Sequence, residues 1–447
     1  MKLINKFLAV TFATSFSMPI YAKINKGFET KSKRESNEKL LLAENPISVD
    51  SGTLKIFFTG TRTPREVQNV PGSVKIISGD EITERGVKDI KDLFRYDAAI
   101  DLKSENEGAF NEYGQGDISI RGFSGNRILM QRDSIRLPAV YRFGSSYTIF
   151  RSEMVDFNSL KGTEIFKGAA SALYGSDALG GVVTFQSLFP EDLLEDDENS
   201  TYETINNYSS VNDGYSSVFR AAARNDDAGL EGVLVVTKTS GKEAKVKADQ
   251  KYINDLTSDG LNLYTNIVKN IDDYSRYNII IENVNKDNET VLKPDNVNSG
   301  YSSSKENRNV DRTMISLNYE YDNAESDNLF DYAKIGAYIQ NAYSEDDSVL
   351  RKNASMRSRT PEHTVTNDYD LKDDSVGANL QFRNDLTKTT TNHRLTYGLD
   401  YSKTSNSRSR IKILSDGQTG TTNVKDSPDS DTTLLGIYLQ DEISFDK

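Results

Sequence analysis

The chain has 447 residues, of which 36% are hydrophobic, and it carries a formal net charge of −13 with no Cys and no Trp. Zero cysteines exclude a disulfide scaffold or a thiolate metal centre, and the acidic balance argues against a general nucleic-acid binder, which needs a basic surface. There is no apolar run of about 18 residues, so a helical membrane span is excluded.

Taken in chain order, residues 1–22 read as a signal peptide. Lys2 and Lys6 form a positive start, Phe7 to Met18 a short apolar stretch, and Ala22 a cleavage position. The alternative is an amphipathic membrane anchor. Residues 23–52, rich in Lys, Glu, Asn and Ser, read as a flexible linker. Thr53 to Thr59, "TLKIFFT", is a short β-prone run, and Pro64 and Pro71 flank an extended connection. Val74 to Ile77 is expected as a strand, with Ser78 or Asp80 capping a helix that starts near Glu81 and ends by Gly86. A second helix places Val87, Ile90, Leu93 and Phe94 on one face. Beyond Gly114 and Gly116, Ile118 and Ile120 alternate with polar neighbours, and "NRILMQRDSIRLP" reads as a hairpin turning at Asp133-Ser134.

The stretch "KGAASALYGSDALGGVV", Lys167 to Val183, is too glycine-rich to pass over. A phosphate loop requires G-x-x-x-x-G-K-[ST], whereas Gly175 is followed by Ser176 and Asp177. No G-x-G-x-x-G is present either, so nucleotide binding is excluded. Residues 53–187 together look like one compact α+β domain.

After Glu191 the period becomes two. Ile315, Leu317, Tyr319 and Tyr321 alternate with polar residues, as do Val376, Ala378, Leu380 and Phe382, then Leu395, Tyr397, Leu399 and Tyr401, then Leu435, Ile437 and Leu439. Polar loops are expected between these strands, among them residues 284–312 and the acidic "DYDLKDD", Asp368 to Asp374. The acidic stretch fails as an EF-hand, since Lys372 and Asp373 take the fifth and sixth positions. Two architectures share the alternation: a soluble β-sandwich with its apolar face inward, or an outer-membrane barrel with that face toward lipid. Tyr319, Tyr321, Tyr343, Tyr401 and Tyr438 suit an interfacial girdle, which favours the barrel. No nucleophile–base constellation is present, and the two histidines, His363 and His393, lie apart in sequence, so no enzyme and no resident metal or cofactor is expected.

"FFTGTRTPREVQNVPGSVKIISGDEI", "DISIRGFSGNRILMQRDSIRLP" and "LKGTEIFKGAASALYGSDALGGVVTF" resemble, in this order, the plug domain of TonB-dependent outer-membrane receptors. "HRLTYGLDYSKT" and "GIYLQDEISF" resemble barrel strands of the haem, haemoglobin, transferrin and lactoferrin receptor branch. The resemblance covers about residues 53–447. It implies a TonB box and plug over 53–187 and, over 188–447, antiparallel transmembrane strands forming part of a roughly 22-stranded barrel. Roughly nine to twelve strands fit in that length, so the chain reads as an N-terminal portion of a receptor.

The resemblance also implies roles. Thr53, Leu54, Lys55, Ile56, Phe57, Phe58 and Thr59 would add as a strand to the partner TonB. Arg121 and Arg127 would pair with carboxylates on the barrel wall, with Glu164 and Lys167 in the same network. The cargo would be haem, a haemoprotein or another ferric chelate, with the outer-membrane lipid as surroundings. Haem-binding members commonly present His or Tyr to iron; the candidates here are Tyr141, Tyr147 and His363. In the glycine-rich stretch the family has a strand–turn–strand passage. Ile165 and Phe166 would end one strand, Ala169 to Tyr174 make a tight turn or short helix, and Val182 to Phe185 form the next strand.

Overall fold

The computed structural model describes residues 56–57, 62, 65–66, 70, 72–102, 118–139, 142–143, 147–148, 151–175, 177–243, 245, 255–292, 301–323, 329–354, 362–387, 391–414, 422–423 and 428–445. All of them fall in one unit, Val49–Lys447. The signal-peptide and linker readings lie outside the described residues, as do most of 53–59 and all of Tyr141.

The N-terminal part is α+β. Two-residue strands β1 (Ile56–Phe57) and β2 (Arg65–Glu66) pair as a small hairpin. Strand β3 (Ser73–Ser78) leads into helix α1 (Gly79–Glu84), where Ser78 Oγ accepts from the Glu81 amide at 3.2 Å, and the chain turns at Gly86 with φ +60°. Helix α2 (Ile90–Phe94) is capped by Asp89 and buries Ile90, Leu93 and Phe94. It starts later than the periodicity of Val87 suggests, because the Asp89 side chain takes the Asp92 amide and fixes the N-terminus there.

Strands β4 (Ile100–Leu102), β5 (Ile118–Ile120) and β6 (Phe123–Ser124) make a three-stranded sheet. Strands β7 (Ile128–Arg132) and β8 (Ile135–Arg136) form the expected hairpin, with Asp133 and Ser134 at φ +48° and +74° in its turn. Strands β9 (Arg142–Phe143) and β10 (Tyr147–Thr148) pair with each other.

The glycine-rich passage is strand β11 (Leu160–Lys167), helix α3 (Ser171–Tyr174) and strand β12 (Gly181–Ser187), as the resemblance implied. Its glycines answer a packing need. A Cβ on Gly181 would lie 2.6 Å from the Phe166 carbonyl oxygen, and Gly175 ends α3 at φ +78°. Strands β3, β11, β12, β7 and β8 form one five-stranded sheet over a core that includes Ile77, Leu93, Phe94, Ile165 and Phe185.

The rest is a single antiparallel sheet. Its strands are β13 (Ser200–Ser209), β14 (Gly214–Asn225), β15 (Leu230–Lys242), β16 (Asp255–Asn270), β17 (Ser275–Leu292), β18 (Tyr301–Asp322), β19 (Tyr332–Lys352), β20 (His363–Thr387), β21 (Thr391–Leu414), the short β22 (Thr422–Asn423) and β23 (Ser430–Phe445). Each long strand pairs with its neighbour in sequence order, and β23 pairs with β21. Among the described residues β13 and β23 are edge strands, so the sheet is open.

Strands β17 to β21 run 18 to 25 residues, well beyond the roughly 9–11 that cross a bilayer. This corrects two expectations. Residues 284–312 are mostly strand rather than loop, and Asp368–Asp374 lies within β20 with Leu371 and Asp373 buried. Antiparallel hydrogen bonding continues past the apolar band because it needs no apolar side chains. His363 opens β20 opposite Lys352.

The sheet is inside out for a soluble protein. Ile315, Leu317, Ile339, Val376, Leu435, Ile437 and Leu439 are exposed, with Ile437 at 77%. On the other face Asn266, Glu282, Arg312, Ser316 and Gln340 are buried at 2% exposure or less, beneath the α+β domain. A β-sandwich would show the reverse, so the alternation belongs to a barrel wall. Tyr401 faces outward as a girdle residue would, but Tyr438 does not. It is 8% exposed and points toward the α+β domain, because it shares a face with Gly436 rather than with Ile437 and Leu439.

Candidate functional site: the plug–wall interface

Three layers of polar contacts fasten the α+β domain to the inner face of the sheet. The middle layer is fully buried. Arg132, the last residue of β7, donates through Nε to Ser187 Oγ at 2.8 Å and through Nη2 to the Ser159 carbonyl at 3.0 Å. Its Nη1 pairs with Glu282 Oε1 on β17. Glu282 Oε2 accepts from Arg312 Nη1 on β18 at 2.6 Å, and Arg312 continues to Gln340 Oε1 at 2.8 Å and to the Met154 carbonyl at 3.2 Å. Gln340 in turn donates to the Arg136 carbonyl at 3.1 Å. All three charged side chains are 0% exposed. Burial works against the Arg132 charge, but Glu282, with Asp133 and Asp156 further off, more than offsets it, so the guanidinium stays protonated.

Around this layer, Asp156 accepts from Thr237 Oγ1 at 2.9 Å, and burial pushes its carboxyl up despite that bond. Tyr264 donates to the Leu188 carbonyl at 2.6 Å, pinning the exit from the domain. Apolar contacts accompany the polar ones: Ile135, Leu188 and Leu194 pack with Val218, Val235, Tyr264, Ile280, Met314 and Tyr338 of the sheet.

The second layer lies toward the end of the sheet with the long connections. There the buried Glu153 accepts from Lys286 Nζ at 3.3 Å and Arg308 Nη2 at 3.1 Å. Burial alone would raise Glu153; Arg308 and Lys286 outweigh it and hold the carboxyl below the usual range. Met154 beside it packs with Val310, Ala342, Tyr369 and Leu371.

The third layer holds the N-terminal segment and the far rim. Arg62, at φ +59°, donates to Asp400 Oδ2 on β21 at 2.7 Å and to the Leu173 carbonyl of α3 at 2.9 Å. Its guanidinium lies 4.5 Å from the Tyr174 ring centroid and 4.3 Å from that of Tyr438 on β23. Its carbonyl accepts from Gln381 Nε2 at 3.0 Å. Arg276 on β17 bridges Glu191 at 3.1 Å and Glu320 at 2.8 Å, and Arg220 on β14 reaches the Asn158 carbonyl at 2.9 Å.

The residues expected to lock plug to wall sit elsewhere. Arg121 and Arg127 are exposed, on a face of the plug that no described strand covers. Glu164 is buried within the five-stranded sheet and accepts from Gln186 Nε2 at 2.7 Å. Lys167 pairs with Asp97 of the same domain at 2.6 Å. The structure therefore does not bring these four to the described wall; Arg132, Glu153, Asp156 and Arg62 make that interface instead. The signal for Arg132 was its place at the end of the buried strand "ILMQR". Glu282 and Arg312 were signalled by charges at the inward parity of otherwise alternating strands.

Of the other candidates, Ile56 and Phe57 form β1 and pair with Glu66 and Arg65. Tyr147 lies in β10 opposite Phe143, and His363 opens β20. Among the described residues no group of three or more His, Cys, Asp or Glu is placed to hold a metal ion.

Comparison with known proteins agrees with this anatomy. Residues 66–182 match the family model "TonB-dependent Receptor Plug Domain", and residues 247–447 match "TonB dependent receptor-like, beta-barrel". The chain is 32% identical over 232 residues to transferrin-binding protein A of Haemophilus influenzae, a match covering 49% of this chain and 25% of that protein. It is 24% identical over 227 residues to the hemin receptor of Yersinia pestis, covering 51% of this chain and 29% of the relative. The fold is shared with the ferripyoverdine receptor of the outer membrane of Pseudomonas aeruginosa, at TM-score 0.57 and 14% identity, over 87% of this chain and 51% of that one. These matches thus take in about a quarter of the length of such curated relatives and about half of that solved structure. Plug, inside-out wall and the charged layers between them fit one assignment: the chain belongs to the TonB-dependent receptors of the Gram-negative outer membrane, as a plug domain followed by part of the β-barrel wall.

Proposed function

We propose that this chain is the gating portion of a TonB-dependent uptake receptor for haem, haemoglobin or a related iron source such as transferrin. The observation that carries the reading is the Arg62 clasp. The segment that would bind TonB, residues 53–59, is followed at once by a side chain held by both plug and wall. A pull on that segment acts on the plug through α3 and on the wall through β21 and β23. The role is binding and transport rather than catalysis, and iron or haem enters as cargo, not as a resident cofactor.

Similarity to proteins named for transferrin, lactoferrin and hemin supports the iron-source class. In this reading Thr53–Thr59 adds as a strand to TonB, and Tyr141, Tyr147 and His363 are the cargo-side candidates. Arg121 and Arg127 remain proposed as a second lock toward further wall, whereas Glu164 and Lys167, bonded to Gln186 and Asp97 within the plug, brace that domain instead. A ferric siderophore or cobalamin receptor is the alternative cargo class, and a TonB-binding portion that carries nothing is the alternative role.

The test is growth of the source bacterium under iron restriction, with haem, haemoglobin, transferrin or a ferric siderophore as sole iron source. Loss of growth on the first three alone, after deletion of residues 53–59, supports the proposal. Loss on the siderophore alone would move the cargo to the alternative class. Unchanged growth with lost TonB crosslinking would leave a non-transporting role.

A further inference from the structure

Helix α3 is only four residues long, yet an arginine grips it from each side. On one side Arg62 donates to the Leu173 carbonyl at 2.9 Å and stacks on the Tyr174 ring. On the other, Arg136 of β8 donates through Nη2 to the Tyr174 carbonyl at 2.6 Å and through Nη1 to Asp177 Oδ2 at 2.6 Å. Tyr174 is the last residue of the helix, where carbonyls lack helical partners, so the guanidinium acts as a charge-assisted cap.

The same arginine reaches the wall with its backbone. The Arg136 carbonyl accepts from Gln340 Nε2 of β19 at 3.1 Å. The orientation of that amide is forced: its Oε1 accepts from Arg312 Nε at 2.8 Å, and an arginine nitrogen can only donate. Arg312 then pairs with Glu282, and Glu282 with Arg132. One continuous path therefore runs from α3, through the side chain and backbone of Arg136, to the buried charged layer.

We propose that Arg136 is a positioning residue that couples α3 to the Arg132–Glu282–Arg312 layer, so that the two loosen together. Its use in gating rests on the uptake reading above; the coupling itself does not.

The fold favours this route over the covalent one. From α3 the chain runs into β12, which is hydrogen-bonded on both sides, to β11 and to β7. Strand β8 is the edge of the same sheet, and only Ile135 and Arg136 pair with β7. A strand held by two residue pairs gives way where one held along both edges does not. Displacing α3 therefore draws the Arg136 carbonyl away from Gln340. Gln340 is 1% exposed, so bulk water does not replace the lost acceptor. Its amide is then free to turn, Arg312 Nε loses a fixed partner, and the grip on Glu282 slackens. Coupling of this kind is reciprocal, so unseating Glu282 also loosens α3.

The experiment is hydrogen exchange of the full chain in outer-membrane vesicles. It is read at the Tyr174 and Gly175 amides, which donate to the Ala170 and Ser171 carbonyls at 3.0 and 2.9 Å. Glu282→Gln should speed exchange there by at least about threefold, the effect of a shared network, and leave the amides of β11 unchanged. Arg136→Ala cuts the link at α3. Gln340→Glu cuts it at the wall, replacing the donating amide by a carboxylate that still accepts from Arg312. In either background Glu282→Gln should change exchange at Tyr174 and Gly175 by less than about twofold, the limit for independent sites. An equal response with and without the link would overturn the proposal, because a merely structural arginine adds its effect to that of Glu282 without altering it. So would an α3 that does not respond while Arg136 and Gln340 are intact, or a rise that spreads equally to β11. The two backgrounds break different ends of the link, so either decides if the other fails to fold. TonB takes no part in this readout, so failure here would leave the uptake reading standing.

Discussion

Glu282 stands between two arginines, with one carboxylate oxygen on Arg132 of the plug and the other 2.6 Å from Arg312 Nη1 of the wall, and all three side chains are sealed from solvent. One acid thus joins two bodies. Removing it leaves two buried guanidinium groups without the carboxylate they share, which is far costlier than losing an exposed pair. Glu282→Ala should cost about 3–5 kcal/mol and make the plug protease-sensitive in intact outer membranes. Glu282→Gln keeps the shape and one acceptor and should cost less. Limited proteolysis followed by mass spectrometry reads the difference, and equal resistance of all three proteins would contradict it.

Arg62 is a smaller fastening with a local effect. Arg62→Ala removes the Asp400 pair, the Leu173 carbonyl contact and the two aromatic stackings, together worth about 1–3 kcal/mol. Thiol labelling of a cysteine introduced at position 57 should become faster, while the plug sheet keeps its protection. Unchanged labelling would show that the clasp does not restrain β1.

Gly181 has no room for a side chain. A Cβ there would meet the Phe166 carbonyl at 2.6 Å and the Ile120 side chain at 3.0 Å, and the nearer contact is backbone. Gly181→Ala should destabilise the plug by about 1–3 kcal/mol, seen as a lower unfolding midpoint. Gly122→Ala is the control for space alone, because nothing lies within 4 Å of its Cβ, although its φ of +85° still costs some strain.

Acid sensitivity of the plug should be traceable to Asp97. Burial works to raise its carboxyl, but Lys167 at 2.6 Å, the Ala99 amide and Lys75 outweigh it and hold it below its ordinary value. A lowered acid contributes stability above the unfolded carboxylate range, near pH 4, and loses it as pH falls through the folded value. Asp97→Asn should therefore flatten the acid limb of plug stability below about pH 4 while lowering stability at neutral pH. An unchanged acid limb in urea titrations would exclude this role.

Much of the architecture was legible because it rests on local rules. Ser78 as a cap, the Asp133-Ser134 turn and the strand–turn–strand passage through Lys167–Val183 each follow from what a backbone position tolerates. The period-two alternation was equally plain, but not its direction. A strand such as Thr313–Tyr321 reads alike whether Leu317 faces a core or a lipid, and only the burial of Ser316 and Arg312 settles it.

Less legible were features that depend on distant partners. Strand ends near Leu292 and Tyr301 resemble loop in sequence because their residues are polar on both faces. Arg132 meets Glu282 across 150 residues of sequence, and no local pattern pairs them. For Arg121 and Arg127 the surrounding motif fixes their place on the plug but not what faces them.

The absence of tryptophan from the chain allows a direct test of whether the apolar face of the sheet meets lipid and the polar face meets the plug. Single probes Leu317→Trp on the outer face and Tyr338→Trp on the inner face would be compared in membranes containing brominated acyl chains. Strong quenching is expected for the probe at 317 and little for that at 338, which is 9% exposed beneath the plug. Equal quenching at both positions, or stronger quenching at 338, would contradict it.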